Sequence, residues 1–186
     1  TITHAPIDFL ELELYKLGKM GLKYKVSKKY KSKNGCTNLA DITVFPSEFI
    51  ALDDKIHSAP YPAINMDNLP YFVIPALKAK GQTLIHDWTY ENRAIYMTEL
   101  NKMNAQVNLA DPHRLYIEGG SELKPAEIFC PPALRPSVVI LIAMLSAKGR
   151  SVLRNVCMIN RGYEEIVTRL QSIGADIKHL HEEQSA

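Results

Sequence analysis

The chain has 186 residues, 46% of them hydrophobic and 23% charged; this ordinary globular composition leaves room for one domain or a little more and excludes a large multidomain machine. A formal charge of +2 is too small for a general polyanion binder, so any anion specificity must be local. The longest apolar run, residues 138–145, is far shorter than the ~20 residues that cross a bilayer, and no basic region leads into an apolar one at the start, so neither a membrane span nor a signal peptide is expected.

In chain order, residues 1–3 read as a strand of the kind that follows an apolar helix, and 14–26 (LYKLGKMGLKYKV) as a helix running into a strand. The stretch 23–33 holds six lysines with Tyr24 and Tyr30 among them, and it ends in the turn signal Lys33-Asn34-Gly35. Its lysines can serve a phosphate or nucleic-acid contact, but charge on the outer face of a hairpin is the commoner arrangement. Cys36, Cys130 and Cys157 are odd in number, widely spaced and outside any C-x-x-C pattern, which argues against a disulfide framework or zinc knuckle and for a reducing, cytoplasmic setting.

In 69–87 (LPYFVIPALKAKGQTLIHD) the apolar residues recur with helical density up to Gly81, where a left-handed C-cap suits a residue without Cβ, and 82–85 reads as a short buried strand. Leu100 and Met103 mark one face of an amphipathic helix, and residues 105–109 then alternate with the period of a half-solvated strand. The pattern returns in 135–155 (RPSVVILIAMLSAKGRSVLRN), with a buried strand expected at 150–153. It continues in Ile166, Leu170 and Ile173 on a helical face and in Ala175-Asp176-Ile177-Lys178 as an alternating strand. His179 and His181, with no carboxylate or cysteine in view, make a poor metal pair.

These segments are copies of one another. Gly81 and Gly149 of the two Ala-Lys-Gly tripeptides stand 68 positions apart, as do Arg93 and Arg161 of Asn92-Arg93 and Asn160-Arg161. A unit of helix, strand, loop, helix, strand, strand therefore occurs about two and a half times. Strands alternating with helices predict an α/β layer arrangement with pseudo-symmetric packing. The single domain 1–186 divides into a partial unit at about 1–58, units at about 59–125 and 126–182, and a polar tail at 183–186. The front unit lacks its first helix, which predicts an apolar gap covered by residues outside this chain or by self-association.

Two segments do not read as packing elements. In 59–67, Pro60 and Pro62 stiffen a connector that delivers Asp67 to a helix start, where the aspartate is either an N-cap or a working carboxylate. In 89–93 and its echo 159–164, an arginine precedes a helix; it is either a tie to a neighbouring carboxylate or a fork for phosphate or carboxylate.

At these residues the chain becomes recognisable. Thr89-Tyr90-Glu91-Asn92-Arg93, Glu99-Leu100-Asn101-Lys102-Met103, Leu134-Arg135, Asn160-Arg161-Gly162-Tyr163-Glu164 and Leu170-Gln171-Ser172-Ile173-Gly174-Ala175-Asp176-Ile177 together resemble the bacterial UDP-N-acetylglucosamine enolpyruvyl transferases, or 1-carboxyvinyltransferases, in order from about residue 6 to residue 180. The resemblance implies an α/β fold, an inside-out α/β barrel (prism) of repeated βαβαββ units, of which this chain would be the second of two domains with its first unit truncated. It implies that the 3-hydroxyl of the N-acetylglucosamine adds to phosphoenolpyruvate and that loss of phosphate leaves the enolpyruvyl ether, a step of peptidoglycan precursor synthesis. The partners implied are UDP-N-acetylglucosamine, phosphoenolpyruvate and an N-terminal domain or another chain completing the cleft; no metal or organic cofactor is implied.

Carried over by position, Asp67 matches the carboxylate that contacts the sugar nucleotide and is proposed to take the hydroxyl proton. Thr89 and Tyr90 match a pair lying along the sugar nucleotide. Arg93, Leu134, Arg135 and Arg161 match the cleft wall, with Arg161 facing the phosphate and carboxylate of phosphoenolpyruvate. The chain departs from the family pattern at Ala133, where an aspartate is usual, and at Met158 and Asn160, where histidine and aspartate are usual. It departs again at Ile64-Asn65-Met66-Asp67, in place of Phe-Pro-Thr-Asp, and at Asn68-Leu69-Pro70. The family's catalytic lysine and its loop with a reactive cysteine belong to the other domain, and none of the three cysteines occupies that loop.

A cleft with one wall neither excludes water nor assembles both sets of anion-binding groups, so catalysis by this chain alone is not expected. The alternatives are a non-catalytic sugar-nucleotide-binding or regulatory relative, motivated by Ala133 and Asn160, and a nucleic-acid module using the lysines of 23–33.

Overall fold

The computed structural model describes residues 1–180; the polar tail at 183–186 and His181 of the histidine pair lie outside the described residues. The strands form three sheets. The middle one takes β5 (Ile56–His57), β6 (Gln82–His86), β7 (Gln106–Asp111) and β8 (Arg114–Glu118) in the order β5-β6-β8-β7, with β5 parallel to β6 and the other pairs antiparallel. The first takes β1 (Ile2–Ala5), β2 (Lys23–Val26) and β4 (Asn38–Phe45) in the order β1-β4-β2, all antiparallel, with the short β3 (Tyr30–Lys31) also on β4. The third pairs β9 (Glu127–Phe129) parallel to β10 (Val152–Arg154). The order β1-β4-β2 repeats β6-β8-β7, and β9-β10 repeats β5-β6, so the repeat read from the sequence is a repeat of strand plan.

The helices are α1 (Glu11–Lys19), α2 (Val73–Lys78) with a 3-10 turn at Leu69–Phe72 before it, a 3-10 helix at Ala94–Met103, α3 (Leu134–Ser146), α4 (Cys157–Asn160) and α5 (Ile166–Ser172). Among the described residues no helix is long and apolar enough to cross a membrane. Alpha-3 buries residues on every side, including Val138, Val139, Ile140, Leu141 and Met144, as befits a helix enclosed by protein. It shares the main core with Val73 and Ala76 of α2, Leu100 and Met103, and the inward side chains Ile85, Val107, Leu115 and Ile117 of the middle sheet. Each such side chain contributes about 1.5–3 kcal/mol on leaving water. The outward face of that sheet is polar, with Gln82, Gln106, Asn108 and Glu118 around a shallow depression. Alpha-2 and α3 lie inside, behind the middle sheet, in the inside-out arrangement that the resemblance implied.

Several local expectations need correction. Gly81 and Gly149 do not cap helices: α2 and α3 end at Lys78 and Ser146, with Ala79 and Ala147 already extended, and the glycines, at φ +99° and +111°, turn the chain into the next strand. The helix around Leu100 is a 3-10 helix because Ala94, Met97, Leu100 and Met103, all buried, recur every three residues, the period that stacks side chains along a 3-10 edge. Strand β6 is buried on one face only, through Thr83 and Ile85, and β10 begins at Val152 with no fully buried residue. Residues 175–178 form no strand. Their counterpart β7 is held only by β8, and no described segment stands in that place for the third unit; Ile173 beside them is 80% exposed.

The lysine-rich stretch is a hairpin edge, with Lys29 tied to Asp8 at 2.7 Å and Glu11 at 3.4 Å, and with Gly35 at φ +73° in the turn. The first sheet keeps a small core of Ala5, Ile7, Ala40 and Ile42, while Ile2, Val44 and Phe45 stay exposed.

The end of β8 latches onto α2, since the Gly120 amide donates to the Leu77 carbonyl at 3.0 Å, one of the carbonyls that a helix end leaves unpaired. A Cβ on Gly119 would stand 2.1 Å from the Ala79 carbonyl oxygen and 2.4 Å from that of Ala76. Gly119→Ala should therefore cost about 2–3 kcal/mol in urea denaturation, against about 1 kcal/mol for Gly35→Ala, which has open space around it but a left-handed backbone. Equal losses would show that the latch does not matter.

Candidate functional site

Asp67 sits in a tight turn. The Asn65 carbonyl accepts from the amides of Asn68 at 2.9 Å and Leu69 at 3.0 Å, and the Asn65 side-chain oxygen accepts from the Asp67 amide at 2.8 Å. The 3-10 turn that follows has no side-chain cap, so Asp67 is not an N-cap. Its carboxylate turns to two arginines instead, Arg135 at 3.2 Å and Arg93 at 4.0 Å, while 45% of the side chain stays exposed.

Arg93 and Asp87 are 7% and 6% exposed. The arginine Nε donates to Asp87 Oδ2 at 2.5 Å and Nη2 to Oδ1 at 2.7 Å, a two-pronged bond of the strong kind, and Nη2 also donates to the Met66 carbonyl at 2.8 Å. The Tyr90 ring packs 4.1 Å from the guanidinium carbon. Of the two readings open for Arg93, the structure selects the structural tie: its fork is committed to Asp87 and to the backbone beside Asp67. The rest of the 87–93 loop is pinned too. Thr89 and the buried Ser58 share a hydroxyl hydrogen bond of 2.7 Å, Trp88 Nε1 donates to the Ser58 carbonyl at 2.6 Å, and the Asp87 amide donates to the His113 carbonyl at 2.7 Å.

Alpha-3 and the turn after α4 bring further side chains to the site. Arg135, in the first turn of α3, lies 5.7 Å from the Tyr163 ring, and the Tyr163 hydroxyl is hydrogen-bonded to that of Tyr71. Burial, and then the bond to Tyr163, push the Tyr71 phenol well above its ordinary range. Leu134 packs its methyl groups against Gly162, where a Cβ would come within 2.5 Å. Arg161 is exposed and, among the described residues, meets only a weak acceptor, the Met158 sulfur, at 3.6 Å.

The repeat explains why the two arginines differ. Asp87, the partner of Arg93, has as its counterpart 68 positions on the neutral Asn155. Arg161 has no carboxylate partner among the described residues. Ala133 stands extended at the start of α3 without a side-chain cap bond, and Asn160 is exposed.

The structure thus brings together Asp67, Arg93 and Arg135, sets Thr89 and Tyr90 on the same loop as Arg93, and leaves Arg161 beyond direct contact with Asp67. Asp87, Ser58 and Tyr71 were not singled out from the sequence, although Asp87 was legible as the acidic residue six positions before Arg93. Among the described residues no group of three or more His, Cys, Asp or Glu is placed to hold a metal ion. Cys36 and Cys157 are exposed and Cys130 is buried, all as free thiols.

Residues 1–170 match the family described as EPSP synthase (3-phosphoshikimate 1-carboxyvinyltransferase). The UDP-N-acetylglucosamine 1-carboxyvinyltransferase of Porphyromonas gingivalis is 42% identical over 127 residues, 67% of this chain and 29% of that protein. The protein of the same description from Borreliella burgdorferi is 37% identical over 126 residues, 68% of this chain and 29% of its own length. Among solved structures, the enolpyruvyl transferase NikO from Streptomyces tendae superposes with a TM-score of 0.73 at 25% identity, over 92% of this chain and 36% of that one. An EPSP synthase from Acinetobacter baumannii gives 0.70 at 17% identity, over 90% of this chain and 39% of that one, a likeness of fold alone. The matched segment spans about 29% of the length of the curated relatives.

Removing Asp87 strands a buried guanidinium, so Asp87→Ala should cost about 3–5 kcal/mol in urea denaturation. Asn155→Asp, six positions before the exposed Arg161, should change stability by less than about 0.5 kcal/mol. A loss below about 1 kcal/mol for Asp87→Ala would contradict the reading of Arg93 as a structural tie.

Proposed function

The chain belongs to the EPSP synthase (3-phosphoshikimate 1-carboxyvinyltransferase) family of enolpyruvyl transferases, and from that premise we propose that it forms one wall of a cleft in which the enolpyruvyl group of phosphoenolpyruvate passes to the 3-hydroxyl of UDP-N-acetylglucosamine. The descriptions of its curated relatives support the choice of sugar nucleotide. The share of those relatives that it matches, 29%, supports a cleft whose other wall comes from residues outside this chain, an N-terminal domain or another chain. The division into units at about 1–58, 59–125 and 126–182 belongs to the same proposal.

The observation that carries the reading is Asp67: a carboxylate oriented by arginines from two units and still open to solvent on one side. Such a group accepts a hydrogen bond from the sugar 3-hydroxyl and takes its proton as that oxygen bonds to C2 of phosphoenolpyruvate, while C3 gains a proton. When the C–O bond to phosphate breaks, C3 gives a proton back and the enolpyruvyl ether remains. Arg161, with no carboxylate partner among the described residues, meets the anionic substrate and stabilises the departing phosphate. Arg135 holds Asp67 in line, and Thr89 and Tyr90 lie along the sugar nucleotide. Catalysis needs both walls, so the isolated chain binds but does not turn over.

One observation favours a second reading, a non-catalytic sugar-nucleotide-binding or regulatory relative. The residue before Leu134-Arg135 is Ala133, which offers a methyl group where the resemblance expects a carboxylate. Under that reading, Ala133→Asp with Asn160→Asp in a protein carrying both walls raises turnover; under the first it leaves turnover unchanged.

The test is calorimetric titration of the chain with UDP-N-acetylglucosamine. The wild type should bind, and Asp67→Ala should weaken binding roughly tenfold or more, the worth of a charge-assisted hydrogen bond. Arg161→Ala should leave that affinity nearly unchanged but remove any added effect of phosphoenolpyruvate. No heat of binding at millimolar ligand would overturn the reading of this wall as a sugar-nucleotide site.

A further inference from the structure

Alpha-1 carries none of the residues just assigned. Its leucines Leu12, Leu14 and Leu17 are only half-buried, and its one buried residue is a glutamate, Glu13, at 8% exposure. A carboxylate is costly to take out of water unless donors meet it. Glu13 makes no ion pair among the described residues; amide donors meet its charge instead, and both come from the turn that carries Asp67. The Asn65 backbone N–H donates to Glu13 Oε1 at 3.3 Å, and the Asn68 side-chain Nδ2 donates to the same oxygen at 2.9 Å.

Those two donors flank Asp67 in sequence. The turn is internally closed by the Asn65 carbonyl and side chain, which receive the amides of Asn68, Leu69 and Asp67 at 2.9, 3.0 and 2.8 Å. It therefore moves as one piece, and Glu13 fixes that piece to the first unit. Arg93 fixes it from the other side through the Met66 carbonyl at 2.8 Å. An exposed carboxylate that must sit within hydrogen-bond reach of a hydroxyl needs a backbone that does not drift.

We infer that Glu13 is a positioning residue for Asp67: from a neighbouring repeat it sets the height and tilt of the 65–68 turn, and through it the affinity of the carboxylate for the sugar hydroxyl. The inference about the turn stands on geometry alone; its consequence for ligand rests on the proposed function.

The experiment compares amide hydrogen exchange in the full 186-residue chain with that of Glu13→Ala, Glu13→Gln and Asn68→Ala. In Glu13→Ala the amides of Asn65, Asp67 and Asn68 should exchange roughly tenfold faster, while those of β6, β7 and β8 keep their rates. Glu13→Gln, which keeps an acceptor oxygen, should restore most of the protection, and Asn68→Ala, which removes one bond from the loop side, should give part of the acceleration. Unchanged exchange at residues 65–68, or equal acceleration in the sheet, overturns the inference. If Glu13→Ala does not fold, the comparison of Glu13→Gln with Asn68→Ala decides.

A second arm titrates UDP-N-acetylglucosamine. Glu13→Ala should weaken binding in the wild-type background and have no further effect in Asp67→Ala, because it acts through Asp67; additive losses overturn it. If the wild type shows no binding, the functional reading fails and the exchange arm alone judges Glu13.

Discussion

A guanidinium withdrawn from water needs its donors matched, and the Arg93–Asp87 pair meets that requirement where the chain changes direction from β6 into the 3-10 helix at Ala94–Met103. Its consequences run both ways. Along the chain it closes the 87–93 loop and so places Thr89 and Tyr90. Across space Arg93 Nη2, already bonded to Asp87, also donates to the Met66 carbonyl and holds the backbone next to Asp67. With the Ser58 bonds to Thr89 and Trp88, the pair ties the 58–67 connector to the 87–93 loop.

Around that point each repeat contributes something different. The turn before α2 supplies Asp67 and the loop after β6 the Arg93–Asp87 tie, α3 supplies Arg135, and α1 supplies Glu13 against the turn. Duplication explains how one arginine position comes to serve two purposes. With aspartate six residues before it, Arg93 is consumed by structure; with Asn155 in that place, Arg161 meets no carboxylate among the described residues, and the proposed function gives it the anionic substrate.

The strand plan was legible because it repeats at an offset of 68, and the order β1-β4-β2 against β6-β8-β7 shows that the repeat is one of pairing as well as of pattern. The 3-10 character of Ala94–Met103 was legible as well, in four buried residues spaced by three, but the i, i+3 matches were read as an α-helical face. Residues 175–178 alternate correctly yet form no strand, because alternation describes a side-chain pattern whereas a strand exists only with a hydrogen-bonding neighbour. At the site, Asp67, Arg93 and Arg135 came from a resemblance in sequence and lie together in space. Glu13 carried no signal of its own, since a glutamate on an amphipathic helix is an ordinary surface residue until the fold buries it, and Asp87 was legible only through its place six positions before Arg93.

The account stands most directly on where the sugar sits relative to Asp67, and a crystal structure of the chain with UDP-N-acetylglucosamine would show it. The result expected is the sugar 3-hydroxyl within hydrogen-bond reach of the Asp67 carboxylate, with Arg93 still bound to Asp87 and the 87–93 loop unmoved. A sugar nucleotide seated elsewhere, for instance on the polar outer face of the middle sheet beside Gln82, Gln106 and Glu118, with Asp67 turned only to its arginines, would contradict it.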